Sequence, residues 1–223
     1  MILMYASVIA APLAIGAVAT LCFGRRPHVR SVVPGLLFHS VQPEPGLEMS
    51  HFPLARFDKL CSRLNEFGYT GITVTDAATG HDGNVTGKPL LLTFDDGLHS
   101  IFEYALPVLR RHRHRATIFC VAGFYGSSSS WDIFSGNRHL TPKEIAAIAA
   151  EGHEIGSHTC THAYLPYLTD ALVRDELTVS KKRLEDIVGK PVTSISFPFG
   201  GWNRRIWDIA CESGYVTATL YRG

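Results

Sequence analysis

Short apolar runs alternate with segments of helical periodicity along most of the chain. Seven runs have the length of buried strands and are bounded by turn-forming or polar residues. These runs cover residues 32–38, 71–74, 89–94, 116–121, 153–157, 192–197 and 216–220. Strands in this arrangement predict an α/β fold with a parallel sheet.

Between these runs, apolar residues recur at the three- and four-residue spacing of amphipathic helices. The predicted helices are 53–67, 141–151, 169–188 and 203–213, and a glycine follows each of them. A further periodic stretch begins at Ile101 and runs into the basic segment 110–115. Thr141, Pro142 and Glu144 form a capping-box signature with proline at the first helical position. Seven strands alternating with helices indicate a parallel α/β barrel.

Composition agrees with one globular domain and excludes some partners. The chain has 223 residues and a formal net charge of +1, so no nucleic-acid partner is predicted. The dense basic segment 110–115 is interpreted as a helix C-terminus, where cations are favourable. The alternative is an electrostatic site for anionic lipid or polysaccharide.

The first candidate for chemistry lies at the end of an apolar run. Residues 90–94 are followed directly by Asp95, Asp96 and Gly97. Adjacent strand residues point to opposite faces, so both carboxylates can serve one site only if the strand end twists, with Gly97 relieving the turn. The alternative is ordinary Asp-Asp-Gly turn chemistry.

The second candidate is a histidine pair at the end of the 153–157 run. His158 and His162 are four residues apart, a spacing that would place them on one face of a helical turn. Two imidazoles and one carboxylate make a three-ligand metal site with open positions, the pattern of catalytic zinc. The alternative is a pair of surface or capping histidines. Together with the aspartate pair, the metal site is favoured.

Residues 93–97 and 157–162 resemble the first two motifs of the polysaccharide deacetylases, the NodB-homology or carbohydrate esterase family 4 group. Residues 196–200 resemble the third motif, with Ser196 where the family normally has arginine and Phe199 where it has tyrosine. The resemblance implies a distorted (β/α)7 barrel. It also implies a metal-dependent hydrolase that removes N-acetyl groups from an N-acetylated polysaccharide substrate.

The resemblance also implies roles for individual residues. Asp95 would be the general base, and the backbone N–H of Phe199 would help bind the oxyanion. The implied divalent metal, with zinc as first choice and cobalt, nickel or manganese as alternatives, would be held by Asp96, His158 and His162. Substrate-binding positions would be Pro198, Gly200 and Trp202. Trp131 and Trp207 are weaker candidates for sugar stacking.

The family's catalytic acid is a histidine near the C-terminus, but no histidine follows His162 in this chain. Residues 35–41 resemble a strand of a permuted branch of the family, which includes the poly-N-acetylglucosamine deacetylases. In that branch the acid lies near the N-terminus, which makes His39 the candidate. Two other functions stay open. One is a same-scaffold amidase on a non-glycan amide, and the other is a non-catalytic glycan-binding or assembly protein in which Ser196 marks lost activity.

The N-terminal 23 residues carry no charged side chain and are long enough to span a bilayer. Residues 1–24 are therefore predicted to be a transmembrane helix serving as an anchor, or a signal segment, and residues 25–223 the catalytic domain. The implied glycan substrate places that domain outside the cytoplasm, either anchored or secreted. Arg25, Arg26 and Arg30 argue for the opposite side by the positive-inside rule.

Overall fold

The computed structural model of the chain describes residues 19–23, 27–28, 33–43, 51–80, 87–129 and 137–220. Its strands are β1 (Ala19–Phe23), β2 (Pro27–His28), β3 (Gly35–Phe38), β4 (Ser40–Gln42), β5 (His51–Pro53), β6 (Tyr69–Ile72), β7 (Lys88–Phe94), β8 (Thr117–Cys120), β9 (Glu154–Ser157), β10 (Ser194–Ser196) and β11 (Thr217–Leu220). Its helices are α1 (Leu54–Glu66), α2 (Val74–Thr79), α3 (Leu106–His112), α4 (Pro142–Ala150), α5 (Asp170–Val188) and α6 (Arg204–Glu212). A π-helical turn, Ile101–Ala105, leads into α3, and two short 3-10 turns cover Leu165–Tyr167 and Pro198–Gly200.

One nine-stranded sheet organises the domain. Its order is β2-β1-β11-β10-β9-β8-β7-β3, and β6 pairs with β7 as well. All seven predicted strand segments form strands, and these pair in parallel. The predicted parallel α/β architecture is therefore confirmed. Within the described residues the sheet is an open curved path rather than a closed ring, because β3 and β2 lie at its two ends.

The prediction of an N-terminal hydrophobic helix is wrong for its C-terminal residues. Residues 19–23 form β1, which pairs antiparallel with β11 so that Cys22 lies opposite Thr217. Residues 1–18, which make up most of the predicted anchor or signal segment, lie outside the described residues. Among the helices that the structure describes, none is both long enough and apolar enough to cross a membrane.

The four helices predicted from periodicity are α1, α4, α5 and α6, and their bounds agree with the prediction within two residues. The capping box of α4 is present: the Glu144 carboxylate accepts from the Thr141 N–H at 2.8 Å, and the Thr141 hydroxyl accepts from the Glu144 N–H at 3.3 Å. Val74 was predicted to end a strand but begins α2. A second capping box, between Thr73 and Asp76, starts that helix.

The basic segment 110–115 closes α3, as the helix C-terminus interpretation predicts. Arg113 is the C-terminal cap in the left-handed conformation. Three of the arginines make ion pairs with carboxylates of other elements, namely Arg110 with Glu151, Arg111 with Asp58, and Arg115 with Asp76. This pairing offsets most of the positive charge of the segment, which disfavours the alternative of a site for polyanions.

Aromatic packing fixes the end of the central strand β7. Phe94, the last residue of β7, is fully buried and contacts the rings of Phe38 and Phe57 at centroid distances of 5.3 and 5.9 Å. Burial of each such ring stabilises the fold by about 1.5–3 kcal/mol. The next residue, Asp95, donates its backbone N–H to the Phe38 carbonyl at 2.9 Å. The first residue of the candidate site is thus held by the core.

Candidate metal and catalytic site

The parallel strands bring the three motifs to one edge of the sheet. Asp95 follows β7, His158 follows β9, Ser196 ends β10 and His39 follows β3. These strands are neighbours or are separated by β8 alone. The carboxyl edge of a parallel sheet is where α/β barrels carry their active sites, and the structure places the predicted residues there together.

The chain turns sharply after β7, as the sequence predicts. Asp96 has a φ of 65° and Gly97 a φ of 61°, so two consecutive residues are left-handed. Aspartate tolerates this region better than most residues with a side chain. A Cβ at Gly97 would lie 3.0 Å from both Cα and Sγ of Cys120, so the turn packs directly against β8.

A histidine that belongs to none of the three sequence motifs supports this turn. The buried His139 donates its Nδ1–H to the backbone carbonyl of Asp96 at 2.8 Å. The Leu140 N–H bonds the Gly97 carbonyl at 2.8 Å, so the segment before α4 clamps the turn on both sides. No spacing in the sequence connects residue 139 with residue 96.

His158 and His162 converge, but not on a helix as their spacing suggested. They lie in an irregular loop after β9, in which Thr159 and His162 have φ values of 65° and 61°. Their ring centroids are 5.0 Å apart. Glu176 of α5 stabilises this loop by accepting hydrogen bonds from the Cys160 N–H, the Thr161 N–H and the Thr161 hydroxyl at 2.6–2.9 Å. Its position on an amphipathic helix gave no signal of this role.

Asp96, His158 and His162 form a compact cluster that can hold a metal ion. One side-chain donor atom from each residue lies within 4.8 Å of the others. Oδ1 of Asp96 lies 3.2 Å from Nε2 of His162 and 3.5 Å from Nε2 of His158, and this buried oxygen accepts no hydrogen bond within the described structure. A buried anionic oxygen without a donor is costly unless a cation satisfies it. The donor set therefore fits a divalent metal.

The histidine nearest the sheet is oriented for this purpose. Nδ1 of His158 lies 2.8 Å from the Ser196 carbonyl oxygen. Because a carbonyl can only accept, Nδ1 carries the proton and Nε2 presents its lone pair to the cluster. Burial lowers the pKa of His158 and outweighs the neighbouring Asp95 and Asp96 carboxylates, which act in the opposite direction. The neutral imidazole that binds metals is thereby favoured.

The electrostatics of Asp96 agree with the same assignment. Burial by itself would raise the pKa of its carboxyl group, but the His162, His158 and His39 imidazoles together hold that pKa well below its usual range. Asp96 is therefore ionised across the physiological pH range. The contribution of His39, which is half-buried between β3 and β4, indicates that its imidazole lies close enough to Asp96 to act on the carboxylate through space.

Asp95 is buried beside the cluster and has a different environment. The Ser196 hydroxyl, also buried, donates to Oδ2 of Asp95 at 2.9 Å. Oδ2 lies 3.9 Å from Nε2 of His158. Ser196 thus contacts Asp95 through its side chain and His158 through its backbone. It supplies a neutral hydrogen-bond donor at the position where the resemblance leads one to expect an arginine.

The third-motif residues lie next to His162. Phe199 sits in the turn Pro198–Gly200 with a φ of 57°, and its ring packs edge-on against His162 at 4.8 Å. Pro198 is buried, whereas Gly200 and Trp202 are exposed on the same loop.

The other two tryptophans were weaker candidates for stacking on a sugar. Trp207 is buried in the core, so the stacking interpretation is wrong for it. Trp131 lies outside the described residues.

Comparisons with known proteins agree with this geometry. Residues 82–218 match the polysaccharide deacetylase family. A putative polysaccharide deacetylase of Bacillus subtilis, YxkH, is 30% identical over 185 residues, which cover 82% of this chain and 62% of that protein. Across the first three curated relatives, the chain spans 55–62% of their length.

Solved structures show the same fold at lower identity. The Streptococcus pyogenes deacetylase PplD, in complex with acetate, is 22% identical with a TM-score of 0.71 over 82% of this chain and 80% of that one. IcaB from Ammonifex degensii is 21% identical with a TM-score of 0.69 over 81% of each chain. The family match includes the Asp95–Asp96 turn, both histidines and the 196–200 motif, and on these grounds the chain belongs to the polysaccharide deacetylase family.

Proposed function

We propose that this chain is a metal-dependent hydrolase that removes acetyl groups from the N-acetylhexosamine residues of a polysaccharide. The observation that carries the proposal is the Asp96–His158–His162 cluster with a second buried carboxylate, Asp95, beside it but outside the three-residue set. This arrangement provides one carboxylate for metal binding and another for proton transfer. A protein that only binds glycans has no chemical need for this division.

A divalent metal held by Asp96, His158 and His162 would supply a Lewis acid for the acetamide carbonyl and would lower the pKa of a nearby water. Zinc is the first candidate because the set contains two imidazoles and one carboxylate, and cobalt, nickel and manganese are alternatives. The tautomer of His158 is set by Ser196, so this ligand is oriented before any metal arrives.

The proton transfers are assigned to the two residues that flank the cluster. Asp95, whose Oδ2 is oriented by the Ser196 hydroxyl, is positioned to take a proton from the attacking water. His39 follows β3 at the same edge of the sheet and would donate a proton to the departing amine, a role for which histidine is a common general acid. The proposed reaction breaks the C–N bond, and acetate and a free amine are its products.

Stabilisation of the oxyanion is assigned to the backbone N–H of Phe199. A backbone donor held rigidly beside a developing negative charge stabilises it without reorganisation. The left-handed conformation of Phe199, in a turn next to His162, orients its amide differently from that of a strand residue. Pro198 and Gly200 would set the shape of this turn, and Trp202 is a candidate contact for the sugar.

The test is amine release from N-acetylglucosamine oligomers by the full chain, before and after chelation and again after zinc is restored. Release that disappears on chelation and returns with zinc supports the proposal. Asp95→Asn should abolish turnover while zinc affinity is kept, and the exposed Asp186→Asn serves as the matched control with normal turnover. Full activity of Asp95→Asn would refute the assignment of the base. Metal-dependent release from a non-glycan amide alone would favour the amidase alternative.

We also propose that the catalytic domain works outside the cytoplasm, with the residues that precede β1 as an anchor or signal segment. The support is the class of substrate together with the uncharged N-terminal run. The test is protease accessibility of the domain in intact and permeabilised cells. Digestion only after permeabilisation would contradict this location.

A further inference from the structure

Exposed aromatic side chains are concentrated on one side of the candidate site. Among the described residues five are exposed, and four of them lie in the segments 164–167 and 199–202 beside His162. Tyr167 is the most exposed of these at 88%, and Phe199 is 69% exposed. Large aromatic rings left in water as a group mark a binding surface more often than scattered single rings do.

The rings form a continuous series that starts at the cluster. Phe199 contacts His162 at 4.8 Å, Tyr164 lies 6.5 Å from Phe199, and Tyr167 lies 4.8 Å from Tyr164. The series therefore leads from a predicted metal ligand to an almost fully exposed ring. A ligand with one group at the metal and further units beyond it would pass over these rings.

The surface is held in place by the structure beneath it. Tyr164 packs against Gly201 so closely that a Cβ there would lie 2.5 Å from the tyrosine ring. Leu165 is fully buried and anchors the turn that carries Tyr167. Arg205 donates to the Leu168 carbonyl at 3.1 Å and pairs with Asp170. The backbone that carries these rings is therefore fixed before binding, which reduces the entropic cost of binding.

The charges around the rings favour a neutral ligand. Residues 163–168 carry no charged side chain. At the start of α5 and of α6, Arg205 pairs with Asp170 and Arg204 pairs with Asp208. An uncharged sugar ring has a C–H face that makes dispersion contacts with aromatic rings and hydroxyl groups that stay in water. Because these charges are already paired, they give little preference for a polyanion or a cationic peptide.

We propose that Phe199, Tyr164 and Tyr167 bind the sugar residues adjacent to the one being deacetylated, so that this chain prefers oligomeric glycans to single sugars. The inference rests on the proposed function and adds to it the direction in which the glycan chain leaves the site. The glycan continues from the metal cluster past His162 towards the turn Leu165–Tyr167.

The experiment compares Tyr167→Ala with wild type on N-acetylglucosamine and on its oligomers of increasing length. The variant should lose about two- to tenfold in kcat/KM on the longer oligomers, the scale of one aromatic contact, and nothing on the single sugar. Phe67→Ala is the matched control, because this exposed ring follows α1 at the opposite edge of the sheet. Equal losses on all substrates, or no loss on the long ones, would overturn the proposal.

A measurement of oligomer binding distinguishes a failure of this proposal from a failure of the proposed function. If wild type releases no amine, oligomer affinity is measured by calorimetry on wild type and Tyr167→Ala. Weaker binding by the variant supports the aromatic surface even without hydrolysis, and equal or absent binding overturns it. Sedimentation of both proteins tests a second copy of the chain as the occupant. A dimer that Tyr167→Ala dissociates would replace the glycan interpretation.

Discussion

Removal of a single hydroxyl group should separate catalysis from metal binding in this protein. The Ser196→Ala substitution deletes the donor that lies 2.9 Å from Oδ2 of Asp95, in a site where both residues are buried. It leaves the Ser196 backbone carbonyl, and with it the bond to Nδ1 of His158. We therefore expect the base to lose its orientation while the metal cluster stays intact.

The size of the effect follows from the nature of the lost bond. A hydrogen bond to an ionised group contributes about 1.5–3 kcal/mol. If that energy holds the carboxylate in its reactive orientation, its loss adds the same amount to the activation barrier, and kcat falls by roughly 10- to 100-fold, since about 1.4 kcal/mol corresponds to a factor of ten. KM and zinc affinity should change little, because neither depends on the hydroxyl.

The assay is steady-state amine release with a parallel zinc competition titration. Ser194→Ala is a matched control, because Ser194 is also buried on β10 and its hydroxyl also bonds a carboxylate, that of Glu154, away from the metal cluster. It should cost stability without lowering kcat. Wild-type kcat in Ser196→Ala would exclude a role of the hydroxyl in orienting Asp95, and a loss of kcat matched by a loss of bound zinc would place its role in metal binding instead.

Three further predictions concern the turn after β7, the histidine loop and one buried histidine, His114. Gly97→Ala should lower the free energy of unfolding in urea by about 2–4 kcal/mol, because the strain of a left-handed alanine adds to a clash with β8. Gly152 is also left-handed but lies in open space, so Gly152→Ala should lower the free energy of unfolding by only about 1–2 kcal/mol. Equal losses in the two variants would show that the contact with β8 contributes nothing. Glu176→Ala should weaken zinc affinity about tenfold, because the loop that carries His158 and His162 loses its hydrogen bonds to this carboxylate. The neighbouring Asp175→Ala should leave zinc affinity unchanged. Unchanged affinity in both variants would show that Glu176 does not support the metal site. Burial lowers the pKa of His114, so the unfolded state binds its proton more readily and the free energy of unfolding should decrease as pH falls through about 6.5. The decrease should be smaller in a His114→Gln variant, and an identical pH dependence would contradict it.

The strands and most helices could be predicted because each is specified locally. The seven strand segments are apolar runs between turn residues, and α4 and α5 carry both caps in the sequence. The exception is α2, where the apolar Val74 extended a predicted strand. The Thr73–Asp76 capping box was visible in the sequence and gave the signal for a helix start at that point.

The sequence identifies the residues of the candidate site but not the contacts that hold them in place. The motifs identified Asp95, Asp96, His158 and His162, and the strand order brings them together. The helical argument for the two histidines was wrong because their loop is shaped by Glu176, a contact from another element. His139 and the Ser196 hydroxyl act over separations of 43 and 101 residues, which no local pattern encodes.

Metal held by Asp96, His158 and His162 should be required for hydrolysis. The most direct measurement is titration of the metal-free full chain with zinc, with bound metal and amine release recorded in the same samples. We expect equimolar binding and activity that rises in proportion to the bound zinc, with both lost in His158→Ala. Amine release at full rate from the metal-free chain, or release that does not follow the bound zinc, would contradict it.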